Sequence, residues 1–273
     1  MRRKLFCEIS PLTYKISTLK CRVVRHIGNF FGNDKLSVSK SSDSLPVLIY
    51  KHKSLIRRTL GNTQLQLQEN KAVNLSIAAP KINGVLIYPG EVFSFWKLVG
   101  KTSSSRGYKE GLTISNSKPS SGIGGGMCQF TNLIHWMILH TPMEIIEHHH
   151  HDEFDLFPDF NRQVPFGVGT SIVYNYLDYR IKNTTNMVFQ LITYVTDTHL
   201  CGELRAEKTL DIKYHIAAED EHFVCKNGIV YRKGRVYRTC IDKRTGNSLS
   251  RELLRENHAK VMYDTKNLDI KNL

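Results

Sequence analysis

The chain of 273 residues is short of several things at once. Nowhere do 18 apolar residues run together, which excludes a spanning helix. The six cysteines, Cys7, Cys21, Cys128, Cys201, Cys225 and Cys240, form no C-x-x-C pair, so neither a zinc knuckle nor a thioredoxin-type motif is indicated. There is no Walker loop and no dinucleotide fingerprint, since Gly124-Gly125-Gly126 is not followed by Lys-Ser/Thr. No finger spacing, helix–turn–helix or interleaving of aromatic with basic residues appears, so no nucleic-acid partner is expected. The seven Lys/Arg of the first 30 residues are separated by stretches too short and polar for a signal-peptide core. The expected location is therefore cytoplasmic, at most peripheral at a membrane.

What is present is an ordinary globular composition with an uneven charge. Hydrophobic residues make up 41% and charged residues 23%, which excludes wholesale disorder. A chain of this length builds a core without disulfide or metal, and its cysteines are expected to be reduced and structural. The net charge is +13. Residues 1–60 hold 13 Lys/Arg against three acids, whereas residues 61–273 hold 25 against 22. The basic character is an N-terminal property, suited to an anionic membrane surface, an anionic substrate or a solubilising arm.

Periodicity gives a coarse element map. Residues 1–45 read as helical or irregular, with breaks at Pro11, Gly28 and Gly32, and Lys40 to Ser44 reads as a linker. A short strand is expected at Leu45 to Tyr50. A helix over 60–80 has its capping cue at Asn62 or Thr63 and ends before Pro80. Residues 101–126, rich in Gly and Ser, read as a long loop. The clearest helix runs from Cys128 to His140, with Phe130, Leu133, Ile134, Met137 and Ile138 on one apolar face. Strands follow at Met143 to His148 and Ser171 to Ile181, the latter paired with Met187 to Thr196 around an Asn183 turn. A further strand at Leu204 to Ile216 and a hairpin around Lys233-Gly234-Arg235 close the chain. Helices followed by a run of strands predict an α+β fold, an antiparallel sheet packed by a central helix starting at Cys128, with a basic helical N-terminal extension. The expected divisions are 1–60, 61–210 and a strand-rich 211–273.

Chemistry concentrates at Gly124-Gly125-Gly126-Met127-Cys128-Gln129. A thiol in the first turn of a helix meets unpaired N–H groups and the positive dipole end, which favour a thiolate and hold an oxyanion. On that basis Cys128 is expected to alkylate faster than Cys201 or Cys225. The plainer alternative is a small buried residue at a tight loop-to-helix join. His148 to His151 follow Glu147, and on an extended backbone either His149 with His151 or His148 with His150 points to one side. Such imidazoles serve a cysteine or a metal, or form an exposed turn. Asp178 lies in a strand pattern where acids are depleted, placed to orient a histidine or to pair with Arg180.

An ordered set of motifs then stands out. Asn74-Leu75-Ser76-Ile77-Ala78-Ala79 leads to Asn83-Gly84, Pro89-Gly90-Glu91-Val92-Phe93-Ser94-Phe95-Trp96 and Val99-Gly100. Gly107 to Leu112, the GGGMCQ run, Glu147 to His151 and Leu177-Asp178-Tyr179-Arg180-Ile181-Lys182-Asn183 complete it. From roughly Gln64 to Ala206 the chain resembles the VanW family. The length and the basic N-terminus are similar to its stand-alone form rather than to larger surface proteins that embed the domain. Two positions depart from the family pattern: His148 stands where Arg is usual, and Gly169 where Asp is usual. The resemblance implies a link to the bacterial envelope and to glycopeptide-resistance loci, without implying an established reaction.

Three functional expectations follow. The first is a binding or accessory module for a cell-wall precursor or envelope partner. The second is a cysteine-dependent acyl-transfer enzyme, with Cys128 as nucleophile, His149 or His151 as base, Asp178 as orienter and Gln129 at the oxyanion site. The third is a metal site built from Cys128 and the histidines. No cofactor is expected.

Overall fold

A computed structural model describes residues 5–57, 65–115, 118–150, 153–156, 158 and 163–272. In chain order the elements are α1 (Pro11–Phe31), β1 (Val47–Leu55), α2 (Leu65–Ile82), β2 (Val85–Ile87), β3 (Val92–Ser94), α3 (Phe95–Val99), β4 (Glu110–Ser115) and β5 (Lys118–Ile123). Then come α4 (Met127–Ile138), β6 (Glu144–Glu147), β7 (Phe154–Asp155), β8 (Arg180–Lys182), β9 (Phe189–Val195) and β10 (His199–Ala206). The chain closes with β11 (Ile212–Lys226), β12 (Ile229–Asp242), β13 (Ser248–Val261) and β14 (Ile270–Asn272). The fold is α+β, with a central helix α4 and an N-terminal helix α1.

Among the described residues the strands form four sheets. One has the order β1-β10-β9-β2, a second β3-β8-β6, and β4 pairs with β5, all antiparallel. The fourth has the order β14-β11-β12-β13-β7, with parallel pairing at its two edges. Helix α4 packs on β1, β10 and α2. At and just beyond its C-terminal end, Trp136 and Leu139 pack with Val168 and with Ile216 and Val236 of the last sheet. Nine of its 12 residues are buried, including the whole expected face of Phe130, Leu133, Ile134, Met137 and Ile138, and the half-buried Cys128, Gln129 and Asn132 lie along one side of its first turns. The main core joins it to Leu75, Ala78 and Ile82 of α2, Phe95 and Trp96 of α3, and Phe189, Leu191 and Leu204 of the first sheet.

Several expected elements differ, each for a local reason. The capping cue at Asn62 or Thr63 falls outside the described residues. Helix α2 runs through Pro80 to Ile82. A proline in the last turn forfeits only one ladder bond, while Ala79 and Ile82 remain buried. The Gly/Ser stretch holds the hairpin β4–β5. Gly28 lies within α1 rather than ending it. The supposed linker is fastened, since Gln190 accepts from the Leu45 N–H and donates to the Asp43 carbonyl. The segment Ser171 to Ile181 is mostly a turn, closed by the Val173–Leu177 bridge, with strand only from Arg180.

The hairpin expected around Asn183 does not form, because β8 and β9 belong to different sheets. Asn183 is fully buried, and its side-chain amide donates to the Ile87 and Met187 carbonyls. Its oxygen accepts from the Thr185 N–H, so the side chain replaces strand pairing where the chain changes sheet. The hairpin expected around Gly234 is one continuous strand, β12, paired on both sides.

Candidate functional site

The glycine run before α4 is shaped by a close approach. Gly126, the N-cap, has φ of 108°, a region open to glycine and rarely to other residues. A Cβ on Gly125 would stand 2.3 Å from the Gly111 carbonyl carbon and 2.6 Å from the Leu112 oxygen, so only glycine lets this loop lie on β4. Buried Asn74 locks the arrangement by donating to the Lys109 and Gly125 carbonyls and accepting from the Lys109 N–H.

Cys128 sits in the first turn of α4, half-buried and packed on the core. Burial pushes its thiol up, against the pull of the backbone N–H groups of Ile172 and of Cys128 itself. Desolvation thus outweighs the helix N-terminus, the reverse of what an activated thiolate needs. Gln129 uses its amide nitrogen to donate to Ser54 Oγ at 2.8 Å and to the Leu55 carbonyl at 2.9 Å. It ties α4 to β1.

Asp178 is 2% exposed. Its Oδ2 accepts from Ser94 Oγ at 2.5 Å, and its Oδ1 from the N–H groups of Trp96 at 3.0 Å and Tyr179 at 2.8 Å. Burial raises its pKa despite these donors, and the nearby Glu147 charge adds to the rise. The carboxylate fastens the start of α3 to the start of β8. Among the described residues it bonds no histidine.

The histidines divide between two roles. His149 Nε2 meets Glu147 Oε1 at 3.0 Å. The same oxygen accepts the Asp178 N–H at 2.8 Å, and both Glu147 oxygens accept from Arg25 of α1 at 2.6 Å. Burial opposes ionisation of Glu147, yet Arg25, the Asp178 N–H and His149 together hold it below the usual carboxylate range. His148 stacks on His135 with ring centroids 4.3 Å apart, and its Nε2 lies 2.8 Å from the Gly169 carbonyl. His148 and Gly169, the two positions that depart from the family pattern, are thus in contact. His150 lies beside the same Gly169, and His135 Nδ1 is joined to Tyr179 OH at 3.0 Å. Burial pushes His135 well down, helped by the charges of His148, His150 and Arg238. It also lowers His148, helped by Arg255 and His149.

Among the described residues, no hydrogen bond joins Cys128 to His149 or Asp178; His151 lies outside them. The structure instead brings His149 and Asp178 to one carboxylate, Glu147, whose place beside the histidines in the sequence gives no sign of this role. It also gathers His135, His148 and His150 near Arg238 and Arg255. His135 and Tyr179 carried one readable signal, a polar group in an otherwise apolar helix or strand pattern. No group of three or more His, Cys, Asp or Glu among the described residues is placed to hold a metal ion.

Comparison with known proteins agrees with this frame. The family model described as VanW like protein matches residues 70–205. The chain belongs to the VanW family. It is 31% identical over 263 residues to the Vancomycin B-type resistance protein VanW of Enterococcus faecalis (strain ATCC 700802 / V583), covering 96% of this chain and 95% of that one. It is also 26% identical over 121 residues to the uncharacterized protein YoaR of Bacillus subtilis (strain 168), covering 43% of this chain and 37% of that one. No solved structure matches the chain.

Proposed function

We propose that this protein is a vancomycin-resistance-associated accessory module that binds an anionic cell-wall precursor at the cytoplasmic face of the membrane. The observation that carries the reading is the division of labour just described. Gly125, Gln129 and Asp178 each serve the architecture, and the Cys128 thiol is desolvated. The imidazoles of His135, His148 and His150, the first two held neutral by burial, stand near the guanidinium groups of Arg238 and Arg255, whose positive charge is of the kind that recognises phosphate or carboxylate. The kinship to a protein named for B-type vancomycin resistance supplies the biological setting. The recognition unit is the segment 61–210, completed by residues of 211–273. The basic N-terminus serves an anionic membrane surface.

The acyl-transfer alternative needs an imidazole on the Cys128 sulfur, and His149 is bonded to Glu147 instead. Calorimetric titration with a nucleotide-linked peptidoglycan precursor tests the proposal. Binding should weaken with salt, fall about tenfold in a His148→Ala, His150→Ala double variant, and survive Cys128→Ser unchanged. A precursor chemically altered on incubation, with the change abolished by Cys128→Ser, would replace the binding module by the enzyme.

A further inference from the structure

Helix α1 is mounted inside out. Ser10 caps it by accepting from the Thr13 N–H, Pro11 occupies its first position, and it runs 21 residues. At 3.6 residues per turn, Leu12, Ile16, Leu19, Val23, Ile27 and Phe30 fall within an arc of about 80°. A helix docked on a domain ordinarily buries such a stripe. Here all six residues are 47–81% exposed. It is the polar side that faces the protein. Arg22 donates to the Tyr174 carbonyl, Asn175 donates to the Arg22 carbonyl, and Arg25 grips Glu147 with both terminal nitrogens.

The surroundings of the stripe say what covers it. Lys15 and His26 border one edge and Lys20 the other, and residues 11–31 contain no acid. Two such helices from two copies would set like charges rim to rim. An anionic lipid surface matches both parts, the headgroups meeting the cations and the acyl boundary taking the apolar side chains. Leu5, Phe6 and Ile9, in and beside the preceding helical turn, are exposed as well. No helix among the described residues is long and apolar enough to cross a membrane.

We infer that α1 lies in the plane of an anionic bilayer, with the stripe from Leu12 to Phe30 sunk in the acyl boundary and the polar face carrying the domain. This rests on the membrane-surface part of the function proposed above, and adds that apolar insertion, not charge alone, holds the protein there.

Co-sedimentation of the full chain with phosphatidylglycerol-containing and pure phosphatidylcholine vesicles tests it. The wild type should bind the anionic vesicles. A Leu19→Ser, Phe30→Ser double variant should keep its melting temperature and lose at least about tenfold in affinity. Val23→Trp should show a blue-shifted emission when anionic vesicles are added. If the wild type fails to bind at low salt, the membrane surface and the inserted helix fall together. If the double variant binds as well as the wild type and the tryptophan emission stays put, insertion is wrong while a charge-only surface attachment stands. If light scattering shows a dimer that the double variant dissolves, the stripe belongs to a second copy and the inference is overturned.

Discussion

Helices α1 and α4 carry comparable apolar stripes and are used in opposite ways. In α4 nine of 12 residues are buried, and the polar groups among the apolar ones are satisfied: Thr131 bonds the Cys128 carbonyl and His135 bonds Tyr179. In α1 no residue is buried, and the polar groups are the ones that hold the protein. Periodicity of 3.6 therefore locates a face without saying which side of it the domain occupies. The deciding quantity is what the polar face can bond. Arg22 and Arg25 find carbonyls and a carboxylate, whereas α4 lays its apolar residues against β1, β10 and α2.

The comparison breaks most visibly in the core around α4. Asp178→Ala removes an acceptor shared by three buried donors and should cost about 3–5 kcal/mol in urea unfolding, whereas Asp178→Asn, keeping one oxygen, should cost roughly half as much. Equal losses from the two would show that the donors find other partners.

Acid gives the next largest effect. Burial lowers the His140 pKa to about 4, against the opposing hydrogen bond to the Trp136 carbonyl and with help from the charges of Arg238, His52 and His215. The unfolded imidazole titrates near 6.5. Below that pH the unfolded chain takes up the proton first. The stability from this group is complete above pH 6.5 and lost as pH falls toward 4, by about 2–3 kcal/mol. His135 and His148 shift in the same direction. Glu147, held low, adds a loss only in stronger acid, as pH falls through its folded pKa. Urea midpoints measured from pH 7 to pH 4.5 check the sign; a midpoint that rises with acid would refute it.

Smaller effects belong to α1. Arg25→Ala should leave the melting temperature nearly unchanged but weaken the seating of α1 by about 1–2 kcal/mol, seen as faster amide exchange in residues 12–31. If the whole domain melts early instead, α1 is part of the core. Gly28→Ala meets no atom within 4 Å of the new Cβ and should strengthen α1 by about 0.5–1 kcal/mol, slowing exchange there alone.

Much of this was legible in the residues. The helix at Cys128, the basic N-terminal segment, the antiparallel character and the glycine-shaped join before α4 all follow from local periodicity and chain chemistry. What escaped depends on partners distant in sequence. The exchange of sheets at Asn183 rests on a carbonyl from Ile87. Asp178 reads equally as a catalytic orienter until Ser94 and Trp96 are seen to occupy both oxygens. The Cys128 thiol looks activated by its helix terminus alone, and only packing shows that desolvation wins. Glu147 stands beside the histidines in the sequence, but its partner Arg25 lies 122 residues away.

That separation also has a meaning in time. A chain is made at about 5–20 residues per second, N-terminus first. Arg25 is therefore synthesised about 6–24 s before Glu147 exists to receive it. Throughout that interval α1 has no clamp, and its row of leucine, isoleucine, valine and phenylalanine meets whatever lies beside the ribosome before the rest of the protein has folded.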